Sequence, residues 1–195
     1  MKKNIFTVVL LMISAGAFAQ FSQGTKMIGG VAGFGVESEK YKGGNTTVNV
    51  GTSTYFSVQP QFGYFVIDRL AIGAGLDLSL SSFKYKDDDE KETSTSLEFT
   101  PFVRYYLPNK IFFFGETGFG VAKEEETEGG DTTYDSKSNV FSWALGAGYA
   151  IMLNESVAIE PLIGYGAKSY KDKDSDFKVV YPGLFVQIGI QVYLP

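Results

Sequence analysis

The chain has 195 residues, with 17 Lys and Arg against 22 Asp and Glu, a net charge of −5, no histidine and no cysteine. An acidic balance without a basic stripe argues against a nucleic-acid partner. The missing residue types exclude Ser-His-Asp and Cys-His nucleophile systems, histidine metal sites and disulfide staples.

The chain starts with Met1-Lys2-Lys3, an apolar run from Ile5 to Ile13, and the small-residue site Ala17-Phe18-Ala19 before Gln20. This pattern predicts a secretory signal peptide over residues 1–19 and one domain over residues 20–195. The apolar run is too short to span a membrane as an anchor, and no cysteine follows the site to accept a lipid. No later run is long enough for a transmembrane helix.

Eight segments then alternate apolar and small or polar residues with period 2, the signature of strands with unlike faces. They are Thr25–Glu37, Ser53–Val66, Leu70–Phe83, Ser94–Leu107, Ile111–Ala122, Asn139–Met152, Val157–Ser169 and Lys178–Leu194. All exceed ten residues, which suits tilted membrane-crossing strands. Tight turns at Ile67–Arg69, Pro108–Lys110 and Leu153–Ser156 alternate with longer polar loops at Ser38–Thr52, Lys84–Thr93, Lys123–Ser138 and Tyr170–Phe177. Short turns on one side and long loops on the other predict an all-β, eight-stranded antiparallel up-and-down transmembrane barrel.

One face carries Phe62, Tyr64, Leu78, Phe99, Tyr105, Phe119, Trp143, Leu145 and Ile188. The other carries Gly73, Gly75, Gly118, Gly120, Gly146, Gly148, Gly164 and Gly166 with a few ions. A narrow interior takes glycines and paired charges, so the apolar face meets lipid. A soluble barrel of the lipocalin type would reverse the faces and carry many outward charges, which the strands lack. Pro60, Pro101, Pro161 and Pro182 fall within strands on the outward face, and local bulges are expected to absorb their missing donors.

The inward ions Asp77, Glu98, Arg104, Glu116, Glu160 and Lys168 form the expected interior polar network. Arg104 and Glu116 are diagonal neighbours across the Pro108 turn, and Asp77 and Glu160 are expected at comparable depth. A guanidinium in this interior requires carboxylate partners. The bland reading is a salt-bridge plug; a gated ion path and paired catalytic carboxylates are the rivals. The runs Asp87–Glu92 and Glu124–Glu128 are acidic but lack the spacing of a calcium loop. No metal and no cofactor are expected. Gly33-Phe34-Gly35 and Gly73-Ala74-Gly75 lie within strands and so are not nucleotide loops.

The run Pro101-Phe102-Val103-Arg104-Tyr105-Tyr106, the run Phe114-Gly115-Glu116-Thr117-Gly118-Phe119-Gly120, and Gly63 through Gly73 together resemble the bacterial outer membrane protein beta-barrel domain family, which includes small OmpX-like and OmpA-like barrels. The likeness covers essentially the whole domain. It implies an eight-stranded barrel in the outer membrane of a Gram-negative cell, with no common enzymatic activity and no catalytic residues to carry over. It also implies membrane lipid, lipopolysaccharide and the barrel-assembly machinery as partners of a monomer. Members finish on an aromatic residue, whereas this chain ends Gln191-Val192-Tyr193-Leu194-Pro195, with Tyr193 the candidate to stand in. The expected role is structural or surface-interacting, with acidic loops displayed outside. The alternative is a narrow pore or carrier for small solutes, and an outer-membrane enzyme is the reading that the lack of histidine opposes.

Overall fold

The computed structural model describes residues 20–43, 46–85, 90–128, 131–172 and 178–195. The expected signal peptide and the acidic residues Asp87, Asp88 and Asp89 lie outside the described residues. The strands are β1 (Lys26–Gly43), β2 (Thr46–Ile67), β3 (Leu70–Tyr85), β4 (Glu90–Tyr106), β5 (Ile111–Glu128), β6 (Asp131–Tyr149), β7 (Ile151–Met152), β8 (Val157–Asp172) and β9 (Lys178–Leu194). From β1 to β6 each strand pairs antiparallel with the next, β6 and β7 both pair with β8, β8 pairs with β9, and β9 returns to β1. The two-residue β7 continues β6 after Ala150. The register against β8 carries through the break, from Gly148 opposite Leu162 to Ile151 opposite Ile159. The ring therefore has eight staves.

The alternation read from sequence appears directly as burial. Along β4, Ser96, Glu98, Thr100, Phe102, Arg104 and Tyr106 are buried, while Leu97, Phe99, Val103 and Tyr105 are exposed. Leu145 is 62% exposed and Leu184 78%. An apolar surface of this extent is stable only against hydrocarbon.

The strands run further than the alternation indicated. The expected loops are largely paired backbone, with Lys42 opposite Thr47, Phe83 opposite Glu92 and Glu125 opposite Asp135. Above the bilayer no face needs to be apolar, so a Ser, Thr, Lys and Glu ribbon keeps its ladder without the pattern that betrays it.

At the opposite end the connections are tight. Lys110 N donates to Leu107 O at 2.9 Å and Leu107 N to Ile111 O at 2.7 Å, with Lys110 at φ 70°. Pro108 pre-sets the turn, and Lys110 takes the left-handed position that closes it. In the third turn Asn154 Oδ1 accepts from Ser156 N at 2.8 Å and Val157 N at 2.9 Å.

The prolines sit in ladders without bulges, which corrects the expectation. Val58 opposite Leu78 and Gln61 opposite Gly75 keep one register across Pro60. Phe99 opposite Phe119 and Phe102 opposite Glu116 do so across Pro101. The bridge is simply missing at the proline. At Pro161 the missing bridge coincides with the break at Ala150, whose N–H goes to Lys110 O at 2.9 Å. Pro182 lies on a stretch of β9 that pairs with β8 alone.

The interior core fills the turn end. Phe21, Met27, Phe65, Phe102, Tyr106, Phe112, Phe114, Leu162 and Tyr193 form one buried cluster. The sequence predicts a small and polar inner face, and the aromatic cluster at the turn end corrects this. The glycines seat the rings: Phe102 lies opposite Gly73, Phe112 opposite Gly148, Phe114 opposite Gly146 and Phe185 opposite Gly164. A Cβ on any of these glycines would collide with the facing ring. Paired strands place opposite side chains too close for two large groups inside a narrow barrel.

Candidate functional site

Among the described residues, the polar groups of the lumen fall into two layers. The layer nearer the turns centres on Arg104, 3% exposed, and Glu160, fully buried. Arg104 Nη1 donates to Glu160 Oε2 at 2.8 Å and Nη2 to Gln61 Oε1 at 2.7 Å. Gln191 Nε2 reaches the same Gln61 oxygen at 3.5 Å. The other Glu160 oxygen accepts from Tyr106 Oη at 3.2 Å and from Tyr193 Oη. The guanidinium carbon lies 5.1 Å from the Phe102 ring centre and 5.3 Å from that of Phe112. A charge in low dielectric persists only when paired and hydrogen-bonded, and this pair has both forms of support.

Below this layer the N-terminal segment folds under the barrel. Phe21 stacks on Tyr106 at 4.3 Å and meets Tyr193 edge-on at 5.3 Å. Its carbonyl accepts from Arg69 N at 2.6 Å, and Gln23 N donates to Asp68 Oδ1 at 2.9 Å. Ring stack and ion pair together leave the turn-side half filled. Tyr193 points into this plug, 1% exposed.

The second layer lies toward the hairpins. Lys168 Nζ is 2.5 Å from Glu98 Oε1 and 3.8 Å from Asp77 Oδ1, and it donates to Ser96 Oγ at 3.0 Å. Ser142 Oγ donates to Glu98 Oε2 at 2.6 Å, and Ser79 donates to Asp77. Glu116 accepts from Gln59 Nε2 at 3.3 Å, while the same nitrogen reaches Thr100 Oγ1 at 2.7 Å. Gly118 makes room for this layer, since a Cβ there would lie 2.6 Å from Glu98 Oε2.

The six ions named from sequence thus separate. Arg104 pairs with Glu160 rather than with its diagonal neighbour Glu116. Lys168 gathers Glu98 and Asp77. Asp77 lies opposite Glu98, whereas Arg104 is six residues further along β4. At about 3.3 Å per residue that is roughly 20 Å of strand, so Asp77 and Glu160 do not share a depth. The glutamines at 59, 61 and 191 and the tyrosines at 106 and 193 were missed as network members. Their inward parity was legible, but an amide or phenol carries no charge that demands a partner.

Above the second layer the lumen opens into a cavity of about 340 Å³ lined by Gln59, Asp77, Glu98, Thr100, Glu116 and Lys168, with Tyr55, Tyr170, Tyr181 and Phe185 around it. A second hollow of about 460 Å³ continues outward between Glu92, Glu124, Glu125, Glu126, Tyr170 and Tyr181. Among the described residues no cluster of three or more carboxylates has the arrangement of a metal site.

Among solved structures, the chain resembles Neisserial surface protein A at 14% identity, covering 87% of this chain and 97% of that one, with a TM-score of 0.49. It resembles Ail, the attachment invasion locus protein of Yersinia pestis, at 12% identity over 88% and 98%, with a TM-score of 0.49. It resembles the outer membrane protein OprG of Pseudomonas aeruginosa at 15% identity over 90% and 95%, with a TM-score of 0.39. A comparison with curated proteins finds no match. The model of the outer membrane protein beta-barrel domain matches residues 5–151 and, in a second alignment, residues 68–195. The ring of eight antiparallel staves is a beta-barrel, and the chain belongs to the outer membrane protein beta-barrel domain family.

Proposed function

We propose that this outer-membrane barrel is a non-conducting mount whose hairpin end faces the cell exterior and serves surface interaction. The observation that carries this reading is the filled turn-side lumen, where the Arg104–Glu160 pair sits above the stacked Phe21 and Tyr106 rings. An ion crossing it would have to break a buried pair and displace a packed ring, each costing several kcal/mol. The orientation follows the rule that short turns face the periplasm.

Two outward features support the interaction role. The β4–β5 ribbon extends past the bilayer with Glu92 opposite Glu126 and Ser94 opposite Glu124. Its net negative charge suits a cationic partner, or an anionic lipopolysaccharide headgroup bridged by divalent ions. No enzymatic step belongs to this reading. A carrier role for small solutes draws on the outer cavity, but without a route through the turn end. The barrel-assembly machinery is its partner only during insertion, and residues 1–19 are proposed to be removed before Gln20.

Planar-bilayer recording tests the core of the proposal. The wild-type protein gives no unitary conductance, while reproducible single-channel steps would overturn it. N-terminal sequencing of the membrane-extracted protein is expected to begin at Gln20.

A further inference from the structure

The ring is not zipped along its whole height. β1 and β9 pair from Lys26 opposite Leu194 to Ala32 opposite Ile188, and the ladder stops there. Above that point Gly33, Phe34 and Gly35 remain paired to β2, and Phe185, Leu184 and Gly183 to β8. The wall is thus parted between its first and last strands, at the height of the outer cavity. The exposure of β9 reflects this. Tyr181 and Gly183 have inward parity, yet both are exposed, and a Cβ on Gly183 would meet nothing within 4 Å.

The cavity behind this seam has a definite chemistry. Three carboxylates, Asp77, Glu98 and Glu116, face one ammonium, Lys168. Lys168 is committed to Glu98 and Asp77. Glu116 takes only an amide hydrogen bond from Gln59, and among the described residues no cation lies within ion-pair distance of it. Tyrosine rings stand at the mouth, with Tyr170 and Tyr181 edge-to-face at 5.8 Å. Carboxylate below and aromatic faces above favour a cation that also has an apolar surface.

We propose that the outer lumen is a binding site for an organic cation with an apolar body, its charge at Glu116 and its body among Tyr181, Phe185 and the parted β1–β9 seam. The proposal is independent of the surface role, since the ligand need not cross the barrel.

The test uses the membrane-extracted protein in lipid nanodiscs, with benzyltrimethylammonium as probe and benzyl alcohol and benzenesulfonate as controls. Calorimetry is expected to show saturable binding of the cation and none of either control. Glu116→Gln, which keeps the Gln59 contact available, is expected to weaken binding at least tenfold while retaining the gel shift of a folded barrel. Tyr181→Ala, at the exposed mouth, is expected to weaken it several-fold and serves equally should the first variant not fold. No saturable binding, equal binding of benzenesulfonate, or unchanged affinity in the folded variants would overturn the site. A Phe34→Cys and Val186→Cys pair, at positions facing each other if the register continued, allows the seam to be closed by oxidation in a chain with no other cysteine. The oxidised form is expected to bind several-fold more weakly than the reduced form. Equal affinity would remove the seam from the site.

Discussion

Arg104 and Glu160 are the residues whose replacement separates a buried ion pair from a decorative one. Removing one partner strands the other at a depth where water does not reach. Arg104→Leu is therefore expected to lower unfolding stability by roughly 3–5 kcal/mol, read by urea unfolding in lipid vesicles. Glu160→Gln keeps acceptor capacity for Tyr106 and Tyr193 and should cost less than Glu160→Leu. Equal losses for the two Glu160 variants would mean that shape rather than hydrogen bonding holds the layer. On the outer surface the argument reverses. Leu145, 62% exposed and apolar, faces hydrocarbon, so Leu145→Arg is expected to cost roughly 2–4 kcal/mol if it lies near the midplane. Its inward neighbour Ala144 lines the cavity, and Ala144→Ser should cost well under half of that. Similar penalties at the two positions would mean that the faces are assigned wrongly.

Strand pairs and turns set what those residues can do. Phe102, Phe112 and Phe114 each depend on a glycine on the adjacent strand, so the pair is the unit of packing. Gly148→Val would place a branched side chain where the Phe112 ring sits. A loss of roughly 1–3 kcal/mol is expected from overpacking, and Phe112→Ala in the same chain should recover part of it. Absence of any recovery would separate the two residues. The turn at Lys110 makes a different demand. With φ at 70°, a β-branched residue there is strained by roughly 1–3 kcal/mol, whereas glycine is at ease. Lys110→Val is thus expected to destabilise the barrel and Lys110→Gly to leave it within about 1 kcal/mol of wild type, by the same unfolding assay.

Among the described residues every stave pairs with two neighbours, and the ring is closed from the turn end up to Ala32 opposite Ile188. Such a ring should resist detergent until heated, so boiled and unboiled samples are expected to migrate differently on a gel. A protein soluble and monomeric in plain buffer, with no need of detergent, would contradict the membrane placement of its apolar face. Topology has its own test. On intact cells, proteases cutting after Lys or Arg and after Glu are expected to reach Glu92 and Glu124 on the projecting ribbons and to spare Arg69, Lys110 and Glu155. Cleavage confined to the last three would invert the barrel.

The period-2 alternation by itself determined the number of staves, their faces and the membrane setting, because lipid on one side and a narrow lumen on the other leave each strand position a single environment. The tight turns were equally legible, since Pro108, Asn109 and Asn154 act locally. What only the tertiary structure decided lies across strands. Whether Arg104 meets Glu116 or Glu160 depends on how the ring closes over residues 56 apart in the chain. That Phe21 turns under the barrel, and that β1 and β9 part above Ala32, depend on the same closure. Parity gives a side chain its face, but only the closed ring gives it a partner.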